Sequence, residues 1–430
     1  MSQTVKNIKK LVKSVIKLEY RGNRIIPCVH IRLSSKEERY LHFRLPVSIN
    51  RRKIYDVLYA KEAVQPNKLV CDNYMGKGYG CNPKYVVDKL LEKYPGKLDI
   101  VWIISKEEKR ENFPEGVRLV PYGSKEAKRE YATAKVWLSN YHKVSYIRRG
   151  MYRKHDQYFI QMWHGSLGIK KIENNVPLLA DNDDWLTVAK ESSEMTTHWI
   201  SNSTFETEVY RQAFWGVKNV LEYGHPRNDI LINGDAAVVE KVKKHFGIEG
   251  KKVVLYAPTF REDYRLDCYK IDYAGLKQAF ERKFGGEWVF VVRLHPRVRQ
   301  FSHQIMPSTD YVFDGTFYPD IQELILSADS MITDYSSCIF DFLLTRRPGF
   351  IFATDIADYN TERGFYYPLE STPFPVATDN DMLMENVRNM DMEKYNVRTD
   401  AFLQEKGCME DGNASERVAD LIMKLVDCWQ

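Results

Sequence analysis

The chain of 430 residues reads as an α/β protein built from two doubly wound domains facing each other across a cleft, and three observations predict this. Its length exceeds what one hydrophobic core fills, so two domains of about 150 to 200 residues are expected. From Lys68 onward, short apolar runs alternate with amphipathic segments, the pattern of a parallel sheet with helices on both faces. The alternation passes through two cycles, separated by the turn-rich stretch EYGHPRNDIL at Glu222 to Leu231.

Residues 1–17 place Val5, Ile8, Val12, Val15 and Ile16 at helical spacing against Lys6, Lys9, Lys10, Lys13 and Lys17. This predicts a basic amphipathic helix suited to the headgroup region of an anionic membrane surface, or else one docked on its own domain. RIIPCVHIRLSS and RYLHFRLPVS read as short strands of a β-rich appendage over residues 18–67. Residues 68–225 form the first domain, with strands KLVCDNY, LDIVWII, KVWLSN and YFIQMWHG and a further candidate strand in HWISNS. The second domain, residues 226–430, takes strands KKVVLYAPTF, WVFVVRLHP, SMITDY and GFIFAT, interleaved with helices.

Composition narrows the function classes. A net charge of +5 is too small for a nucleic-acid coat but suits anionic small molecules or an anionic membrane surface. The seven cysteines are never spaced C-x-x-C, which argues for a reducing compartment without structural zinc. The sequence contains no apolar run long enough to span a membrane and no N-terminal secretory pattern, so the cytoplasm is the expected location.

Four strand ends carry polar residues where an open α/β sheet binds ligands. His164 follows YFIQMW and precedes Gly165, Ser166, Lys170 and Lys171, so a base, a flexible turn and positive charge come together. Thr259 and Arg261 follow VVLYAP, and His295 and Arg297 flank the proline of LHPR. Arginine suits a bidentate grip on phosphate oxygens. Asp334, Ser336 and Ser337 follow SMIT, where the serines open a helix whose first N–H groups can seat an anion. Singly, each fits a strand-end histidine, a solvated arginine or a plain N-cap; together they point to phosphate chemistry. The sequence shows no carboxylate cluster, and a Mg2+ requirement stays open.

Two such domains across a cleft make the GT-B architecture. The motifs MWHGSLGIKKI, YGHPRNDIL, YAPTFR, RLHPR, ITDYSSCIFDFL and ERGFYY, in this order between about Lys68 and Asp400, resemble the CDP-glycerol glycerophosphotransferases of teichoic-acid synthesis. Many relatives read Thr-Pro where this chain has Ser166 and Leu167. The resemblance implies transfer of glycerol phosphate from CDP-glycerol, or a related polyol phosphate from CDP-ribitol, to a polyprenyl-diphosphate-linked or polymer acceptor. It also implies a peripheral place on the cytoplasmic face of the membrane. On this reading His164 on the acceptor domain takes the acceptor's proton, with His295 as the second catalytic histidine. His295 joins Arg261, Arg297 and the Ser336–Ser337 helix end in holding the donor diphosphate. A glycosyltransferase with a nucleotide-sugar donor, and a non-catalytic lipid- or polyanion-binding protein, are the alternatives.

Overall fold

The computed structural model describes residues 14–21, 24–32, 40–46, 49–59, 61–148, 150–176, 183–261, 263–295 and 297–427. β1 (Ser14–Arg21), β2 (Arg24–Arg32), β3 (Tyr40–Arg44) and β4 (Ile49–Asn50) form an antiparallel sheet in which β2 pairs with the other three. This corrects the expected N-terminal helix at residues 14–17 alone. Residues 1–13 lie outside the described residues, but 14–17 are strand, in a ladder running from Ser14 opposite Ile31 to Arg21 opposite Arg24. For Val15, Ile16 and Lys17, continuous pairing with β2 overrides the helical spacing. Helix Arg51–Tyr59 then docks on the first domain by burying Tyr55 against its core, and the Arg51 backbone lies where Gly150 has no side chain.

The first domain begins at β5, three residues before the expected boundary. β5 (Gln65–Asp72), β6 (Asp99–Ile104), β7 (Val117–Pro121), β8 (Ala134–Ser139), β9 (Tyr158–Gln161), β10 (His198–Ser201) and β11 (Val220–Glu222) form a parallel sheet ordered β7-β6-β5-β8-β9-β10-β11. In the second domain β12 (Lys252–Tyr256), β13 (Trp288–Val292), β14 (Val312–Asp314), β15 (Ser330–Thr333), β16 (Gly349–Phe352) and β17 (Val376–Ala377) are ordered β14-β13-β12-β15-β16-β17, again all parallel. Every residue of β8 and of β13 is buried, as strands covered on both faces require. Both sheets step outward from their first strand and then reverse, so the strand order switches between β5 and β8 and between β12 and β15. Ligands gather beyond the carboxyl ends at such points.

The second domain ends earlier than residue 430. Helix Ala414–Asp427 returns to the first domain and buries Val418, Ala419, Ile422 and Val426 against Leu69, Val86 and Leu90. On the way back the chain pairs with the segment after β10: Thr204 N–H donates to the Gly407 carbonyl and Met409 N–H to that of Asn202. In the opposite direction, Leu167 and Ile169 from the first domain sit in the core of the second. Among the described residues no helix is long and apolar enough to cross a membrane, and the six described cysteines are free thiols.

Candidate active site

His164 leaves β9 through a strained turn. Trp163, just before it, holds a left-handed backbone with φ of 48° although it is neither glycine nor exposed. Such strain persists only where the surroundings enforce it. The His164 ring stacks on Tyr141 at 5.6 Å between centroids and meets the edge of Tyr74 at 5.2 Å. Its Nδ1 lies 2.8 Å from the Asn140 carbonyl, which can only accept, so Nδ1 carries the proton and Nε2 is left as a base. Asn140 is itself fixed: its Nδ2 donates to Asn73 Oδ1 and its Oδ1 accepts from Tyr74 N–H. Burial pushes the imidazole down to about 4, opposed by the Asn140 hydrogen bond and aided by the nearby Arg227 charge. The ring is therefore neutral at pH 7.

The residues after His164 are used to join the domains. The Gly165 carbonyl accepts from Arg227 Nη2 at 2.5 Å, and the same guanidinium grips Asp341 of the second domain at 2.9 and 3.1 Å. Ser166 is 8% exposed and its hydroxyl accepts from Asn202 at 2.9 Å, so its expected role at a phosphate is replaced by a structural one. A Cβ on Gly168 would lie 2.9 Å from the Ser337 Cβ, so the loop touches the helix entrance of the second domain there. Next, Lys171 N–H donates to the Gly364 carbonyl and Tyr366 N–H to that of Ile169, pairing GIKK with RGFYY. Lys171 lays its stem over Gly364, whereas the Lys170 ammonium has no ion-pair partner among the described residues. Burial, with Arg363 nearby, lowers Lys170 to about 8. Asp334 and Cys338 are also close enough to act on it.

On the second domain Arg261 departs from expectation. It is 3% exposed, grips Asp355 with Nε and Nη2 at 2.7 and 2.9 Å, and donates from Nη1 to Asp334 and to the Thr259 carbonyl. The rings of Tyr335 and Tyr359 lie against its guanidinium. Asp334 in turn accepts from Thr259 N–H and Tyr335 N–H. Arg261 and Asp334 thus form a buried clamp between β12 and β15 instead of reaching into the cleft, and the Thr259 backbone is part of it. A bidentate pair saturates the fork that a phosphate would need.

His295 and Arg297 do remain at the cleft. The His295 ring stacks on Phe260 at 5.3 Å, and its Nδ1 accepts from Arg297 N–H at 3.3 Å, so the neutral ring bears its proton on Nε2. It has the opposite polarity to His164. Burial lowers its basicity, and Arg297, Lys77 and Lys170 add to the effect. Arg297 is exposed over the Phe260 ring and lies near enough to act on Tyr141, the platform beneath His164. Ser337 caps helix Cys338–Leu343 without using its side chain, and the Ser336 hydroxyl accepts from the Cys338 thiol.

Three groups escaped the sequence reading. Arg227 and Asp341 join the domains behind His164, as do Lys84 with Asp320 and Glu323 at 2.7 and 2.9 Å. Lys77 sits on the loop NYMGKGYG between β5 and helix Cys81–Lys93, whose three glycines after a strand were the available signal. Asn73 holds that loop by donating to the Lys77 carbonyl. Among the described residues no group of three or more His, Cys, Asp or Glu is placed to hold a metal ion.

Two parallel sheets of this order, joined by buried ion pairs and facing across a cleft with a neutral base on one wall and cations on the other, define a protein of the GT-B class equipped for an anionic ligand. The chain belongs to the CDP-glycerol:poly(glycerophosphate) glycerophosphotransferase family, whose profile matches residues 54–424. It is 31% identical over 392 residues to a teichoic acid poly(glycerol phosphate) polymerase of Staphylococcus epidermidis, covering 87% of this chain and 53% of that protein. The chain spans about half the length of this relative and of its Bacillus subtilis counterpart. A teichoic acid glycerol-phosphate transferase of Staphylococcus aureus is 29% identical over 378 residues, 84% of this chain and 94% of that one. The solved wall teichoic acid polymerase TagF superposes with a TM-score of 0.76 at 29% identity, over 88% of this chain and 94% of that chain.

Proposed function

We propose that the protein transfers glycerol phosphate, or a related polyol phosphate, from a CDP-linked donor to an acceptor hydroxyl and releases CMP. The acceptor oxygen attacks the β-phosphorus, forming the new P–O bond as the bond to the CMP phosphate breaks. The hydroxyl proton passes to His164 Nε2. The charge that grows on CMP is met by His295 Nε2–H, Lys170 and Arg297, since phosphoryl transfer depends mostly on positioning and charge stabilisation. The observation that carries this reading is the opposed polarity of the two imidazoles, one fixed as an acceptor by Asn140 and the other as a donor by the Arg297 backbone. The names of the relatives, which include a teichoic acid ribitol-phosphate primase at 32% identity over 273 residues, support a polyol phosphate as the group moved.

A polyprenyl-linked or polymer acceptor places the work at a membrane surface. In support, helix Arg51–Tyr59 exposes Val57 (81%) and Leu58 (63%) beside Arg52 and Lys53, a small basic and apolar face of the kind that rests on anionic headgroups.

The test is CMP release from CDP-glycerol and CDP-ribitol with a hydroxyl acceptor. His164→Ala should lower kcat by roughly 10² to 10⁴ while nucleotide affinity stays near wild type. The acid limb of kcat/KM should fall near pH 4, because protonation below that point removes the base. Absence of CMP release from every cytidine donor overturns the function, and an equal loss of nucleotide affinity overturns the role of His164.

A further inference from the structure

Among the described residues the second domain's most exposed aromatic ring is that of Phe317. Phe317, in the loop after β14, is 70% exposed. Its neighbours are not: Thr316 and Tyr318 are buried, and the loop is pinned at nearly every residue. Gly315 N–H donates to the Val292 carbonyl, Leu294 N–H to Thr316 Oγ1, and Arg293 Nη1 to the carbonyls of Gly315 and Tyr318. The Tyr318 hydroxyl donates to Glu323 at 2.6 Å. A Cβ on Gly315 would lie 2.7 Å from Val291 Cγ1, so the strand end admits only glycine without rearrangement. A rigid frame therefore presents an apolar ring to water. The guanidinium of Arg299 lies 5.7 Å from the ring centroid.

The position of the ring matters as much as its exposure. His295 and Arg297, assigned above to the donor phosphates, follow β13, and a nucleoside must run from there along the carboxyl edge in one of two directions. Towards β16 the edge is filled by the Arg261–Asp355 clamp and by the first-domain loop paired with Gly364–Tyr366. Towards β14 it arrives at Phe317. Neighbouring strands are spaced ~4.8 Å apart, so β14, which leads into the Phe317 loop, runs about one strand spacing from β13.

We propose that Phe317 is the stacking platform for the pyrimidine base of the donor nucleotide, with Arg299 at its rim. This rests on the reading of the cleft as a nucleotide-donor site and adds to it the residue that separates a nucleotide from a bare diphosphate. Every base offers a π-face to such a ring, and loss of one stacking partner costs about ten- to a hundredfold in affinity.

The test is calorimetric binding of CMP and of inorganic pyrophosphate, a probe with phosphates and no base, to the full chain and its variants. Phe317→Ala should weaken CMP roughly ten- to a hundredfold, leave pyrophosphate unchanged and leave Tm unchanged, since the ring is exposed. Phe317→Tyr should restore CMP affinity. CMP binding that is the same in wild type and Phe317→Ala overturns the assignment and leaves the donor reading standing. A parallel loss of pyrophosphate affinity also overturns it, because the ring would then act on the phosphate site. A wild-type chain that binds neither probe overturns the donor reading and this assignment with it.

Discussion

Arg261 and Arg297 show how little the identity of a residue says about its work. Both follow strands at the carboxyl edge of the second sheet, and both fit a phosphate-gripping arginine in the sequence. What separates them is a partner the sequence does not reveal: Asp355, 94 positions from Arg261, closes a bidentate pair around it. Removing one partner of a buried pair leaves an uncompensated charge and costs about 3 to 5 kcal/mol. Arg261→Met is therefore expected to lower Tm strongly, and Arg261→Lys to recover only part, because lysine lacks the fork. Arg297→Ala should leave Tm alone and raise the donor KM. Thermal melts of the purified variants decide this, and an Arg261→Met chain that melts like wild type would show that the clamp is dispensable. His164 and His295 stand out in the sequence because each follows an apolar run; Asn140 ends the strand KVWLSN and Arg227 lies in YGHPRNDIL, but nothing in either stretch shows that they meet beside His164.

The segment from Gly165 to Ile172 is the element that makes one cleft of two domains. It buries Leu167 and Ile169 in the second core, touches Ser337 through Gly168 and pairs with Gly364–Tyr366. Gly168→Val should force that contact apart at an overpacking cost of about 1 to 3 kcal/mol, which is five- to 150-fold in kcat/KM if it falls on the closed cleft. Steady-state CMP release together with circular dichroism checks this: unchanged turnover would mean that the contact is not made during the reaction. Elements were legible in proportion to their length and burial. The central strands of both sheets could be read directly, whereas β11, β14 and β17, at three, three and two residues, are too short to show a period. The first four residues of β1 were misread because Val15, Ile16 and Lys17 continue a helical spacing, and only pairing with β2 decides otherwise. The dipeptide between them, Gly22 and Asn23, is a tight-hairpin signal that outweighs the lysine pattern once it is noticed.

For the whole molecule, the junction of the domains is a buried polar knot centred on Glu410. Its carboxylate accepts from His225 N–H, Asn202 and Asn228, and Asn228 also reaches Asp341 beside Arg227. Burial raises Glu410 from its usual 4.5 to about 7. Between those values the folded chain keeps a proton that the unfolded chain has lost, so stability declines as pH rises through that window. Glu410→Gln should flatten this part of the Tm against pH curve, measured from pH 4.5 to 7.5; an unaltered slope would assign the linkage to another group. The two-domain division was legible in the sequence, but the return of helix Ala414–Asp427 to the first domain was not, because an amphipathic helix carries no label for the core it joins. That return means the polypeptide passes between the domains twice, once near Pro226 and once near Glu410. A body attached by one cord can tumble in any direction. A door hung on two pins swings only about the line through them, and the second domain of this molecule is hung in that way.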